Sequence, residues 1–542
     1  MEKRLILAVA ISFVFLTVWS FFFRPPPSKD KVEPEVVEIK EVVDKTPSFD
    51  ESLSPQAEFT SEIQGEQKSP DNAPLLTVES SNITASFSQA SGNLVNLHLN
   101  LYDTSFPITD IFAIDSFSKN PYVITEQTST TLELVADSDA LRVTKRYTIP
   151  ADDYIVQSEI NVQNKSNENI LQKVSLKAFR VDSSRLDIDP KKDRDSSLLE
   201  YVVNSSEGIA RKNKAFKFKD KEYDSKEGSV NWVGYRDRYF CAIVKPQFDT
   251  QGYVITPVGG EKEKSILDIA ITGTSLEIPA GTQKSLSGVV YFGPEDINTL
   301  KDYDMQFEDI KKFYKNGLLD GVAKIIYHML HFSQKFVKNW GVAIILISFV
   351  VYFSVYPLTA KGMKSMRRMQ ELQPKIVELR EKHKSNPQKL NKETMELYKK
   401  HKINPLGGCL PLLIQMPIFI GMYQVLWRDV SFKGANFLWI DDLSQPDQLF
   451  NFPTQLPFVG NQFNLLPILM IGIMVLQQKF SSRNIKVTDP QQLAQQKMMM
   501  TIMPVFLGFI FYKMASGLTL YFTMFYIFST FTQWKMSKQK TV

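Results

Sequence analysis

The sequence predicts a polytopic α-helical membrane protein with six transmembrane helices and a large antiparallel β-sandwich domain. Three observations carry that prediction. Long uncharged apolar runs are confined to the extreme N-terminus and the last two hundred residues, the intervening stretch alternates apolar and polar residues in short runs, and lysine and arginine crowd two of the connections between apolar runs. The averages conceal this division: 23% charged residues and a mean hydropathy of -0.16 describe an ordinary water-soluble chain.

Residues 1–23 read as a transmembrane anchor, because Leu5 to Phe23 is free of charge and long enough to cross a hydrocarbon core. A cleavable signal peptide would end in small residues, whereas this run ends in three phenylalanines, Arg24 and three prolines. Residues 24–75, rich in acidic residues and proline and poor in aromatics, read as a disordered linker.

Residues 76–295 read as the sandwich. "ITASFSQASGNLVNLHLNLY", "TTLELVADSDALRVTKRYTIP", "YIVQSEINVQNKS" and "SLEIPAGTQKSLSGVVYFGP" each pattern as strand, turn, strand. Asp187 and Asp189 lie in a loop so polar that solvated charge explains them better than catalysis. Cys241 and Cys409 stand far apart, which indicates neither a disulfide framework nor a thiolate metal site.

Residues 296–338 read as an interfacial helical region, with Leu319, Val322, Ile326, Met329 and Leu330 on one side suited to a membrane surface. His328 and His331 sit three apart on it without an acidic or thiol companion, so a metal site is not expected.

Residues 339–538 read as a five-span core: Trp340 to Leu358, Pro405 to Trp427, Leu465 to Gln478, Met498 to Tyr512 and Met514 to Trp534. Residues 360–404 hold 13 basic and 5 acidic residues, and Arg428 to Phe463 holds 2 basic and 4 acidic. Because basic loops stay in the cytoplasm, both termini are expected there and the sandwich outside, in the periplasm of a Gram-negative inner membrane. The 360–404 segment reads as a helical hairpin broken at "SNP", whose Met363, Met366 and Met369 form a soft apolar face beside Lys364, Arg367 and Arg368. That face either receives a varied apolar partner or packs the hairpin together. Anionic lipids and the ribosome are candidate partners of the basic residues, with a solvated charged face as the alternative.

In the last span Thr519, Thr523, Tyr526, Thr530 and Gln533 fall on one stripe, the span from Trp340 aligns Ser348, Tyr352 and Tyr356, and the next contributes Gln415. Polar side chains in hydrocarbon need water or one another, so these stripes either line a hydrated groove or glue a closed bundle.

The strings "NWGVAIILISFVVYFSVYPLT", "LQPKIVELREKH", "ELYKKHKINPLGGCLPLLIQMPIFIGMY", "TDPQQ" and "ASGLTLYF", spread from about Phe332 to Lys538, resemble the membrane domain of the YidC/Oxa1/Alb3 insertase family. The resemblance implies an insertase and folding chaperone, not an enzyme, that receives nascent membrane proteins alone or beside the Sec translocon. It implies no cofactor, metal or small-molecule substrate, and a groove open to lipid and cytoplasm. A polytopic secondary transporter is the rival class, but paired ionisable residues and an inverted repeat are not evident. The family's usual groove arginine, four residues before the tyrosine of "YPLT", is Tyr352 here. The sequence therefore predicts a groove that recognises polarity rather than offering a fixed cation, and one that tolerates arginine at this position.

Overall fold

The computed structural model describes residues 75–106, 108–114, 120–182, 200–213, 224–258, 266–383, 386–401, 403, 410–456, 460–482 and 490–538. The expected anchor, nearly all of the linker, Asp187, Asp189, and the "NPLGGC" string with Cys409 lie outside the described residues.

Among the described residues, eighteen strands between Leu75 and Pro294 form the sandwich, in sheets of nine, five and four strands, every pairing antiparallel. The alternation read from the sequence is what packs it. In Ile83–Ser88 the residues Ile83, Ala85 and Phe87 are buried and their neighbours are not, and this strand pairs with Leu94–Leu99 as a hairpin. Thr131–Asp137 and Leu141–Thr148 pair in the same way.

Two expected hairpins are corners instead. Ile155–Asn164 and Gln283–Pro294 lie side by side in the nine-stranded sheet, while the strands joined to them in sequence, Ile170–Asp182 and Ile266–Ile278, lie side by side in the five-stranded sheet. The turns at "NKSNEN" and "PAGT" thus carry the chain from sheet to sheet. Buried Asn164 fastens both corners, donating from Nδ2 to Glu168 O at 2.7 Å and Ile278 O at 2.9 Å.

After the sandwich come α1 (Ile297–Lys301), α2 (Gly317–Val337), α3 (Trp340–Glu371), α4 (Gln373–Lys382), α5 (Pro387–Lys400), α6 (Leu410–Arg428), α7 (Leu465–Ser482), α8 (Pro490–Phe511) and α9 (Ser516–Lys538). Between α6 and α7 the antiparallel strands Phe450–Leu456 and Gly460–Phe463 form a separate β-hairpin. The side of α2 read as membrane-facing packs inward. Ala323, Ile326 and Leu330 are buried against α6, where Gly421 permits the approach: a Cβ there would lie 3.1 Å from Ile326 Cδ1. The face left exposed carries Leu318, Ile325, Phe332 and Phe336.

One stretch among the described helices, Trp340–Gly362, is long and apolar enough by itself to cross a membrane: its 23 residues span about 35 Å against a core of about 30 Å. Leu465–Phe480 and Thr501–Phe511 are shorter apolar runs. The helices are not bounded as expected. α3 runs through Pro357 into the basic segment as far as Glu371, α8 begins at Pro490, and α9 continues to Lys538. Straight-chain residues such as Lys361, Met363, Lys364 and Arg367 favour helix, which explains continuation past a proline that removes one backbone donor.

Outward faces remain apolar along the core. Val342, Leu346, Phe349 and Phe353 of α3 are exposed at spacings of four, three and four, and so are Ile468, Leu469, Val475 and Leu476 of α7, Val505, Phe506 and Phe509 of α8, and Ile527 and Phe531 of α9. Exposed apolar surface on this scale suits hydrocarbon rather than water.

Candidate functional site

The polar residues of the core are brought together in pairs. Gln415 on α6 donates from Nε2 to the Tyr521 hydroxyl of α9 at 2.9 Å. Tyr352 on α3, 2% exposed, shares a hydrogen bond with Thr532 of α9 and is walled in by the rings of Phe353, Tyr356, Phe525 and Phe528. Gln477 on α7 donates to Ser529 of α9 at 2.7 Å. α9 is therefore a hub, touched by polar groups of three other helices.

The stripe read along α9 is placed differently from a row of hydroxyls aimed at water. Thr519 and Thr523 are buried, and each donates to a carbonyl one turn back, Ala515 O at 3.3 Å and Thr519 O at 2.7 Å. Thr530 does the same to Tyr526 O. Ser348, fully buried, donates to Ile344 O at 2.6 Å. Tyr356 and Tyr526 are half-buried. Hydroxyls satisfied by their own helix can enter apolar surroundings cheaply. Gln533 is the exception, because its buried Oε1 accepts no hydrogen bond while its Nε2 reaches Ser529. Sequence periodicity missed Tyr521, Ser529 and Thr532, which lie off the stripe it selected. Reading Ser529 and Thr532 with Phe525 and Phe528 as the adjacent face would have found two of them.

In the basic segment Lys364 and Arg368 are exposed. The side chains of Met363, Met366 and Arg367 lie outside the described ones. Met369 packs against the small core of Leu372, Ile376 and Ile403 with Leu397 and Tyr398. For Met369, then, packing the hairpin is the role observed.

The sandwich is bolted to the helices by charged groups that sequence reading passed over. Arg238 donates from Nε to Trp427 O at 2.7 Å, at the end of α6. Arg428 donates to the carbonyls of Lys312 and Phe313 at 3.0 and 3.2 Å. Asp429 is fully buried, accepting from Ser431 N at 3.0 Å and lying 2.7 Å from His331 Nε2. Asp296 completes a cluster in which ligand-capable atoms of Asp296, His331 and Asp429 lie within 4.8 Å of one another. Their oxygens are already committed: Asp296 caps α1 through Thr299 N at 2.9 Å and accepts from the Tyr327 hydroxyl. The cluster works as a fastener between sandwich, α2 and the end of α6.

Burial alone would raise the Asp429 carboxyl. The hydrogen bond from His331, the charge of Lys311 and the Ser431 amide outweigh it and hold the group below its usual value. A depressed folded-state value means that ionised Asp429 stabilises the joint above about pH 4 and that this contribution is lost as pH falls through the folded value. Asp429→Asn is expected to weaken the joint by about 2 kcal/mol at neutral pH, the worth of a charge-assisted hydrogen bond. Hydrogen exchange of α2 amides between pH 3 and 6 checks this. Wild type should lose protection towards the acid end and the variant should start low and stay flatter.

The start of α3, the end of α6, the start of α7, the end of α8 and the start of α9 all meet on the sandwich side. The ring of Trp340 packs on Phe432 at 4.7 Å, Leu466 N donates to Asp447, Tyr512 donates to Gln462 O at 2.8 Å, and Gly517 N donates to Leu443 O at 2.9 Å. Comparison with known proteins fits this division into two parts. Residues 110–328 match the family model of the YidC periplasmic domain, and residues 332–541 match that of the 60Kd inner membrane protein. The chain belongs to the YidC membrane protein insertase family. It is 29% identical to the membrane protein insertase YidC of Chlorobaculum tepidum over 570 residues, 98% of this chain and 94% of that protein. It is 35% identical to that of Chlorobium luteolum over 313 residues, 57% of this chain and 52% of that protein. A crystal structure described as an active YidC insertase with its first transmembrane domain resolved aligns over 87% of this chain and 93% of its own, at 18% identity and a TM-score of 0.39. Membership of the YidC family makes this an inner-membrane protein with a periplasmic β-rich domain, an insertase rather than an enzyme, and it gives the transporter reading no support.

Proposed function

We propose that this chain inserts nascent proteins into the inner membrane and chaperones their folding, alone or beside the Sec translocon. The observation that carries the reading is the placement of Ser348, Tyr352, Gln415, Thr519, Thr523 and Tyr526 inside helices whose outward faces are apolar. Among the described residues, a substrate segment entering from lipid meets polar partners between α3, α6, α7 and α9. On this reading the path between these helices becomes a hydrated groove open to lipid and cytoplasm when substrate parts them. Prolines within α3, α6 and α8, at Pro357, Pro417 and Pro504, supply places where such helices flex.

Both termini and the α4–α5 hairpin are cytoplasmic in this reading, supported by the meeting of alternate helix ends on the sandwich side and by the basic character of the opposite loops. Exposed Lys364 and Arg368 stand ready for anionic headgroups and the ribosome. The test places a photoreactive amino acid at Thr523 or Gln415 and stalls a nascent membrane protein on ribosomes. Both positions should crosslink the apolar segment of the nascent chain, while Phe531, exposed on α9, should crosslink mainly lipid. Crosslinks at Phe531 with none at either inner position would overturn the path.

A further inference from the structure

The connection between α6 and α7 carries a feature that insertion does not require. From Gln448 to Gln478 there is no charged residue, so the uncharged character of α7 extends backwards through the whole β-hairpin that precedes it. Within that hairpin Phe450 stacks on Phe463, ring centroids 4.7 Å apart and planes at 12°, and Phe452 closes on Phe450 edge-on at 5.3 Å. These rings are not hidden in a core. Phe450 is 48% exposed, Leu449 41%, and Leu438, earlier in the same connection, 77%.

The height of the hairpin is fixed by hydrogen bonds at its base. Asn464 donates from Nδ2 to Tyr512 O at 2.7 Å, and the Tyr512 hydroxyl donates to Gln462 O at 2.8 Å, tying the last strand to the end of α8. Phe463 stands two residues before α7, and Ile468 and Leu469, near the start of α7, are already exposed apolar residues. An aromatic cluster held at the ends of two membrane helices, without a charge to keep it in water, has the composition and position of an interfacial anchor.

We infer that the paired strands Phe450–Leu456 and Gly460–Phe463 lie in the headgroup and upper acyl region of the outer leaflet, with the bilayer surface as their partner. The inference rests on the reading that α7 and α8 cross the membrane. Its consequence is mechanical, because a wedge of rings beside the first turn of α7 holds that end of the core at a set depth.

The full chain in phosphatidylethanolamine and phosphatidylglycerol vesicles tests it, with Cys241 and Cys409 replaced by alanine and one spin label introduced by Phe450→Cys, Gln445→Cys or Leu469→Cys. The ratio of oxygen to nickel-chelate collision rates should be about threefold higher at 450 than at the loop control 445, and higher again at 469, as expected for interface, water and hydrocarbon. A label at 450 matching 445, with 469 in hydrocarbon, overturns the anchor and leaves the spans intact. A label at 469 that also reads water overturns the span reading and the anchor with it. Because the cysteine removes a stacked ring, a benzoylphenylalanine at Phe450 provides a second measurement. Phospholipid adducts support the anchor, and adducts only to another protein or to a nascent chain overturn it.

Discussion

Replacing Arg236 by alanine is expected to destabilise the sandwich by about 3–5 kcal/mol, the cost of stripping one partner from a buried ionic group. Arg236 is 2% exposed, donates three hydrogen bonds and makes a further ion pair. Its Nη1 donates to Glu295 Oε1 at 2.7 Å and Ile310 O at 2.8 Å, its Nη2 donates to Lys312 O at 3.1 Å, and its Nε lies 2.9 Å from Glu200 Oε2. Burial disfavours the guanidinium charge, but the two carboxylates outweigh that and hold its proton more firmly than in water. Removing the side chain leaves buried Glu295 without its ion pair, leaves Glu200 with Arg211 alone at 3.8 Å, and frees the 310–313 segment that leads into α2. For a domain of this size the loss corresponds to a melting temperature lower by roughly 10 °C. Calorimetry of the full chain in detergent reads it. A variant in which Glu295→Gln accompanies Arg236→Met should recover part of the loss, since Glu200 keeps Arg211 at 3.8 Å and the second buried carboxylate is gone. A single variant melting within about 2 °C of wild type would show that the triad contributes little.

The same residues illustrate what a sequence discloses and what it withholds. Alternation put Ile83, Ala85 and Phe87 on the inner face because side-chain period alone decides that, and the structure has them buried. Alternation carries no information about which strand lies alongside. The turns after Asn164 and Ile278 therefore looked like hairpins until the pairing showed a change of sheet. Charges such as Arg236 and Asp429 carry no sequence signal of their roles, because their partners, Glu295 and His331, come from distant elements.

In the helical core, periodicity found that α3, α6 and α9 carry polar residues. It overestimated what the hydroxyls seek, since a threonine four residues after a free lone pair can satisfy itself within its own helix, as Thr523 does at Thr519 O. The methionine face was legible as apolar, but only the fold shows Met369 spent on Leu372 and Ile376. The proline at 357 invited a break that is instead at Leu372, where α3 gives way to α4.

Tyr352→Arg is expected to be the most damaging change at this position, contrary to the tolerance that the sequence suggested. Read as a groove residue, Tyr352 would face water, and a guanidinium would simply restore the charge usual in relatives of this family. In the structure its ring is enclosed by Phe353, Phe525 and Phe528, and its hydroxyl meets Thr532, which itself donates to Phe528 O at 3.1 Å and Ser529 O at 2.9 Å. A guanidinium in that seam would find carbonyls already engaged and no carboxylate among the groups touching Tyr352, so its burial costs several kcal/mol and forces α3 away from α9. Tyr352→Phe keeps the ring and loses one hydrogen bond whose partner retains others, a cost of about 1 kcal/mol or less. Tyr352→Leu removes ring contacts and leaves a gap, a cost of roughly 2–4 kcal/mol. The expected order of folded yield and of insertion rate is therefore wild type, phenylalanine, leucine, arginine. Thermal denaturation in nanodiscs and insertion into proteoliposomes measure the two series side by side. An arginine variant that melts with wild type and inserts at its rate would mean that water already reaches the α3–α9 seam, and the closed packing around Tyr352 would be the wrong description of the resting insertase.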